Sequence, residues 1–266
     1  MIYCVLKGGL GNMLFQIAAV KSLAIDSGVD CSFPNLIHHY GVMDADNYYI
    51  PNLKHSTEYH QIFDKLNVIQ PTTSLPLTRY PFHYVKVDTP PDNFVVDGFF
   101  QSEKYFTHNR EAILDYIKMP ESVNKIITDK YSELLNVRTT AIHVRRGDYL
   151  KFPQHHPTQS AEYYLSAMDL VKNKTDKFLV FSDDIQWCKD NLNIDNIIYI
   201  EDEKDYIELY LMSLCDNNII SNSSFGWWGA WLNKNNDKVV VGPNKWFGPA
   251  IKHETSDIIP ESWIKL

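Results

Sequence analysis

Three short runs carry side chains suited to holding an anion. HisValArgArgGlyAspTyr at His143–Tyr149 places two guanidiniums and a carboxylate directly after an apolar pair. SerAspAsp at Ser182–Asp184 follows LeuValPhe, and SerAsnSerSerPhe at Ser221–Phe225 follows IleIle. Arginine makes permanently charged, bidentate contacts with phosphate oxygens. Asn222, Ser223, Ser224 and Phe225 precede GlyTrpTrpGlyAlaTrpLeu, a strand–turn–helix layout in which free N–H groups and the helix dipole face an anion. An N-capped core helix with packing tryptophans would show the same local pattern. Each run alone is a weak signal. Together they place a phosphate cradle, two arginines and several carboxylates at the ends of three strands, as a nucleotide with a pyrophosphate requires.

The elements that must position these runs are legible in the second half of the chain. A helix is expected from about Glu121 to Leu135. Strands then alternate with helices: strand Thr140–Val144, helix Ala161–Val171, strand Phe178–Phe181, helix Gln186–Leu192, strand Ile197–Ile200, helix Tyr206–Leu214, strand Asn218–Ser221, helix Phe225–Leu232, strand Lys238–Val241. Such alternation predicts an α/β fold with a mostly parallel, doubly wound sheet. Ligands of these sheets bind beyond the carboxyl ends of the strands, where all three runs fall. The first half opens with a strand at Ile2–Leu6 and a helix from Met13 to Ser27 closed by Gly28. A strand at Val29–Phe33, a helical patch at Gln61–Leu66, a strand at Asn93–Asp97 and a helix at Glu103–Ile117 follow. Pro120 ends that helix and marks the expected boundary between domains 1–120 and 121–266.

Individual residues keep more than one reading. Of the two strand-end arginines, one should face a ligand and the other support the structure; an ion pair with Asp148 is the plain alternative. His143 lies on a strand, where a satisfied core histidine is the ordinary outcome. Asp183 would accept from a base or ribose, or cap the next helix. LysGlyGlyLeuGlyAsn at Lys7–Asn12 lacks full GxGxxG spacing, and no ribose-binding acid follows the second strand, so a nicotinamide or flavin site is rejected. Asp44 and Asp46 form a DxD pair, but no clean strand precedes it, and it reads as a loop coincidence. No metal site is expected.

The chain has 266 residues and a net charge of −8, which argues against a general nucleic-acid binder. Cys4, Cys31, Cys188 and Cys215 have no metal-like spacing and lie in apolar stretches, as buried reduced thiols do. No run approaches the roughly 18 apolar residues of a membrane span, and no signal peptide is visible. A cytoplasmic protein is the expectation.

Taken in order, the motifs resemble those of the α-1,2-fucosyltransferases of glycosyltransferase family 11. The matching runs are GlyGlyLeuGlyAsnMetLeuPheGln at Gly8–Gln16, AspGlyPhePheGlnSerGluLysTyrPhe at Asp97–Phe106, HisValArgArgGlyAspTyr, SerAspAsp, and LeuTyrLeuMetSerLeuCys through TrpTrpGlyAlaTrpLeu at Leu209–Leu232. Residues 34–93 are the main gap.

The resemblance implies a GT-B fold, two Rossmann-like domains facing across a cleft, with acceptor recognition in 1–120 and GDP-fucose binding in 121–266. It implies GDP-β-L-fucose as donor and inverting transfer to the 2-hydroxyl of a galactose in an oligosaccharide or lipid-linked glycan, without cofactor or metal. Arg145 would hold the β-phosphate, His143 would lie near the nucleoside, and Ser223, Ser224 and Phe225 near the phosphates. Glu208, with Asp183 as competitor, would read guanine. Asp148 is the candidate base, with Glu103 and His156 as alternatives, or it is a loop-ordering partner of Arg146. Backbone at Gly9 and Gly11 and amides at Asn12 and Gln101 would bind acceptor hydroxyls. Bacterial surface-polysaccharide synthesis at the inner face of the membrane, by peripheral association, is the implied setting. A different linkage or sugar donor, or a noncatalytic GDP-sugar or glycan binder, are the alternatives.

Overall fold

A computed structural model describes residues 1–36, 62–87 and 93–266, together with Tyr59 and the pairs 42–43 and 49–50. The chain divides into two compact units, residues 1–120 with 254–258 and residues 121–253 with 259–266.

The first unit opens with β1 (Ile2–Cys4), α1 (Leu10–Ser27) and β2 (Cys31–Ser32). Two short strands, β3 (Val42–Met43) and β4 (Tyr49–Ile50), pair antiparallel. Strands β5 (Leu77–Arg79) and β6 (Phe94–Asp97) complete a parallel sheet in the order β2-β1-β6-β5. Helix α1 is buried along most of its length, including Met13, Phe15, Ile17 and Ala18 at 0% exposure, as expected of a helix apolar on nearly all faces. It ends at Gly28, whose left-handed φ of 65° lets its N–H reach back to carbonyls of the last turn.

The helix expected over Glu103–Ile117 is broken. Ser102 Oγ accepts from the N–H of Lys104 and starts a short 3₁₀ turn, Glu103–Tyr105. A second turn, Thr107–Asn109, follows, and only Arg110–Tyr116 is α-helix, α2. The neighbours Tyr105 and Phe106 are both buried, and the backbone leaves helical geometry at Phe106 (φ −144°). The edge strand β5 was not anticipated, because all three of its residues are exposed and show no alternation.

The second unit starts with α3 (Glu121–Leu135) and then alternates regularly: β7 (Thr139–Val144), α4 (Ala161–Val171), β8 (Lys177–Ser182), α5 (Ile185–Asn191), β9 (Ile197–Ile200), α6 (Asp205–Leu214), β10 (Asn217–Ile219), α7 (Ser224–Leu232), β11 (Val240–Gly242) and β12 (Ile264–Lys265). The sheet is parallel throughout, in the order β12-β11-β10-β7-β8-β9. The chain enters at β7, winds outward through β9, then returns to β10 on the other side of β7 and winds outward again. That is the strand order of a Rossmann sheet, and its direction reverses between β7 and β10. All six β7 residues are buried, the continuous run of a strand covered on both faces.

The tryptophan run proves to be core. Trp227, Trp228 and Trp231 are at most 2% exposed. Trp227 stacks on Trp231 at 6.2 Å and meets Trp263 at 5.4 Å. Helix α7 lies so close to α6 that a Cβ on Gly229 would sit 2.9 Å from the Met212 side chain. The tryptophans therefore hold α7 rigidly, and its first turn is the part presented beyond β10.

Candidate active site

The reversal between β7 and β10 is where a doubly wound sheet opens a crevice for a ligand, and the carboxyl ends of these two strands carry the HisValArgArg and SerAsnSerSer runs. His143, on β7, is 5% exposed, and its Nδ1 lies 3.0 Å from Ser221 Oγ. Burial, reinforced by the nearby Arg145 charge, lowers its pKa to about 3. The ring is neutral at any working pH, so it acts as a hydrogen-bonding group and not as a cation. It packs 5.3 Å from the Phe225 ring, and a Cβ on Gly226 would come within 2.6 Å of its Nδ1. Glycine at the start of α7 is thus what lets the helix terminus approach the end of β7.

The two arginines separate. Arg146 turns inward: Nε pairs with Asp184 at 3.0 Å, and the guanidinium lies 4.1 Å from the Trp187 ring. Its backbone N–H donates to Asp183 Oδ1 at 2.8 Å. Arg145, with 37% of its side chain exposed, spans two carboxylates, Asp148 at 2.7 Å and Asp183 at 3.0 Å. The expected partnership of Asp148 with Arg146 is therefore corrected to Arg145. The 3₁₀ turn Asp148–Lys151 begins immediately after Gly147 and brings Asp148 back toward the arginine three residues earlier. The cap of α5 is Asp184, which accepts from the N–H of Trp187 at 3.2 Å. Asp183 is left to Arg145 and the Arg146 amide, so it orders this loop rather than the helix.

The SerAsnSerSer run divides its labour. The Asn222 amide donates to the carbonyls of Pro157 and Trp246 at 2.9 Å each, and its oxygen accepts from Gln159. At 1% exposure it is a staple between loops. Ser223 caps α7 by accepting from the N–H of Phe225 at 3.3 Å. Ser224 and Phe225, half-buried, form the presented first turn. Tyr149, which sequence reasoning passed over although it ends the HisValArgArg run, donates to the Asn222 carbonyl at 3.1 Å and stacks on His156 at 4.8 Å. Burial raises its pKa to about 12, so it remains a donor.

Glu208 sits in the first turn of α6. Its pKa is raised to about 8, chiefly by burial, then by the negative field of Asp205, Glu203 and Asp183. A carboxyl group this reluctant to ionise, on a helix packed in a doubly wound unit, is a candidate for function.

In the first unit, Gly9 caps α1 without a side-chain bond and Gly11 is buried within it. Gly8 adopts φ 81°, and a Cβ there would meet Asn12 Nδ2 at 2.5 Å. Gln101 is 6% exposed and donates to Asn12 Oδ1 at 2.7 Å, so these two amides do lie together. Phe100 has φ 53°, a strained left-handed value for an aromatic residue, and packs into the core against Tyr105. Lys7 Nζ lies 4.7 Å from the Phe99 ring. Asp44 and Asp46 lie outside the described residues. Among the described residues, no three His, Cys, Asp or Glu side chains converge as metal ligands, and no helix is long and apolar enough to cross a membrane. All four cysteines are free and buried.

Comparison with known proteins places this chain among glycosyltransferases. A family model described as Glycosyl transferase family 11 matches residues 77–266. The O-antigen biosynthesis glycosyltransferase WbnK of Escherichia coli is 30% identical over the whole of both chains. An alpha-1,2-colitosyltransferase of Escherichia coli is 28% identical over 98% of this chain and 97% of its own. Among solved structures, POFUT1 in complex with GDP superposes with a TM-score of 0.52 at 12% identity, covering 91% of this chain and 97% of that one. A mutant of Arabidopsis thaliana FUT1 in complex with GDP does so with 0.51 at 14% identity, covering 99% and 75%. At these identities the two structures speak for the fold.

Proposed function

The chain belongs to glycosyl transferase family 11, and on that premise we propose that it transfers L-fucose from GDP-β-L-fucose to the 2-hydroxyl of a terminal galactose, with inversion and without a metal ion. The observation that carries this reading is the position of Arg145. It follows β7, one of the two strands that flank the reversal point of a Rossmann sheet, with its guanidinium partly exposed and 5.6 Å from the Tyr149 ring. Glycosyl transfer builds negative charge on the departing diphosphate, and a fixed cation with helix N–H groups stabilises charge where it develops. Two of the five N–H donors of arginine meet Asp148 and Asp183, and the remainder suit diphosphate oxygens.

In this reading Ser224 and Phe225 offer N–H groups to the phosphates. His143 holds the α7 terminus in place, and Arg146 and Asp183 order the loop that carries Arg145. Glu208 accepts from guanine N1–H and N2–H after giving up its proton. The acceptor hydroxyl loses its proton to Asp148, with His156 and Glu103 as the alternative bases. The GT-B arrangement of the family gives the first unit a share in acceptor recognition, through the backbone at Gly9 and Gly11 and the amides of Asn12 and Gln101. It gives donor binding to the second.

The alpha-1,2-colitosyltransferase relative supports a second donor. Colitose is fucose without its 3-hydroxyl, so the same diphosphate machinery would serve it. WbnK supports O-antigen synthesis as the setting, and a lipid-linked glycan at the inner membrane face is the acceptor proposed for it. Incubation with GDP-fucose or GDP-colitose and a galactoside panel, followed by GDP release, decides between donors. A protein that binds GDP but releases none from any donor–acceptor pair is a binder and not a transferase.

A further inference from the structure

The loop that carries Asp148 continues into a surface that the proposed chemistry leaves unused. Within the described residues Leu150 and Phe152 are 51% and 56% exposed, two large apolar side chains separated by one residue. Their loop is pinned from beneath. The N–H of Gly248 donates to the His155 carbonyl at 2.8 Å and that of Ala250 to the Gln154 carbonyl at 2.9 Å. The Phe152 carbonyl accepts from both His155 and His156 at 2.9 Å. The fit against the 248–250 segment is so close that a Cβ on Gly248 would lie 2.2 Å from the Gln154 oxygen. Below the loop the Tyr149 and His156 rings stack, and His156 meets Phe247 edge-on at 5.6 Å. The exposed Phe152 ring is therefore presented on a rigid base, with the His155 imidazole perpendicular to it at 6.3 Å.

We propose that Phe152, flanked by Leu150, is the shelf on which the acceptor galactose lies while its 2-hydroxyl reaches Asp148. This rests on the transferase reading above and deepens it by assigning the acceptor ring a stacking partner. Phe152 caps the single 3₁₀ turn that Asp148 opens, so the two residues lie one turn apart along the chain, on the order of 8 Å at the roughly 2 Å rise per residue of such a turn. The chemistry is complementary. The axial 4-hydroxyl of a β-galactoside leaves C3–H, C4–H and C5–H together on the opposite face, an apolar patch that suits an aromatic face. A β-glucoside lacks that patch, so the shelf also selects the epimer. An aromatic ring on a pinned loop loses little freedom on binding, which favours it over a mobile side chain.

Two readouts test the shelf. In steady-state transfer, Phe152→Ala should raise the KM for the galactoside about fivefold, on the scale of one aromatic contact. The GDP-sugar KM should be unchanged, and Phe152→Tyr should restore the acceptor KM. An unchanged acceptor KM, or an equal rise in both KM values, overturns the proposal. Saturation-transfer NMR of the GDP-loaded wild-type protein with methyl β-galactoside needs no turnover. Irradiating aromatic protons should reach H3, H4 and H5 of the sugar more strongly than H2, and Phe152→Ala should abolish the difference. If that contrast is present in a protein that transfers no sugar, the shelf stands and the transferase reading fails. If Phe152→Ala leaves the contrast intact while a Leu150→Ala/Phe152→Ala double variant loses sedimentation with phospholipid vesicles, the pair contacts membrane instead and the proposal is wrong.

Discussion

Replacing Glu208 by Gln should make the protein more stable and a poorer GDP binder at the same time. Its carboxyl has a pKa near 8 when folded against an ordinary value of 4.5, with burial the main cause and Asp205, Glu203 and Asp183 adding to it. Between these two values the folded protein keeps a proton that the unfolded chain releases. The stabilising contribution is therefore whole below pH 4.5 and is lost as pH rises through 8, at about 1.4 kcal/mol per unit. By pH 7 that loss is on the order of 3 kcal/mol, as an upper figure. Glutamine keeps the shape and removes the titration. Urea midpoints at pH 5, 7 and 8.5 should show the variant close to wild type at pH 5 and increasingly more stable above. Titrating groups that do not interact with Glu208 cancel in the difference. GDP affinity should fall ten- to a hundredfold, the scale of hydrogen bonds to a charged group. Wild-type binding near pH 7 should release a proton, seen as buffer-dependent heat in calorimetry, and the variant should release less. Parallel stability–pH curves for the two proteins would refute the reasoning about Glu208, and unchanged GDP affinity would remove it from the guanine site.

Four further outcomes follow from the geometry. Arg145→Ala should leave the fold intact and lower kcat/KM on the order of a hundredfold or more, the scale of a lost electrostatic contact to a developing charge; near-normal turnover would remove Arg145 from the site. Asp148→Asn should lower kcat by roughly 10²–10⁴-fold with GDP binding preserved if it is the base; full kcat would leave Glu103 and His156. Gly226→Ala should cost about 1–3 kcal/mol by overpacking, because its Cβ would meet His143 at 2.6 Å, and GDP affinity should fall with it as the α7 terminus shifts; thermal melts and GDP titration check both. Transfer should survive excess EDTA, and loss restored by Mg²⁺ or Mn²⁺ would bring Asp44 and Asp46 into the chemistry.

The second unit was largely legible from sequence because each strand is a short apolar run closed by polar residues. Ala161–Val171 and Ile197–Ile200 have the bounds expected of them, and the polar runs that end β7, β8 and β10 fall at the carboxyl edge of the sheet because doubly wound topology puts them there. What sequence could not supply was pairing across loops. Whether Asp148 meets Arg145 or Arg146 depends on a 3₁₀ turn that leaves no periodic trace, and the choice of Asp184 over Asp183 as cap is a difference of one residue. Asn222 looked like a phosphate ligand until its amide was seen between the Pro157 and Trp246 carbonyls, partners 65 and 24 residues away. Edge strands were missed for lack of pattern: β5 is wholly exposed and β12 has two residues. The tryptophans show the converse. Sequence left open whether they pack a core helix or accompany an anion site, and all three on α7 are buried and hold its first turn.

The central claim is transfer of a GDP-linked 6-deoxy sugar to the 2-hydroxyl of galactose. The most direct measurement is NMR of the product formed from GDP-β-L-fucose and a terminal β-galactoside. The account predicts a new α-anomeric fucose signal with a through-bond correlation to galactose C2. A β-anomer, a correlation to C3, C4 or C6, or a product only with acceptors that lack galactose would contradict it.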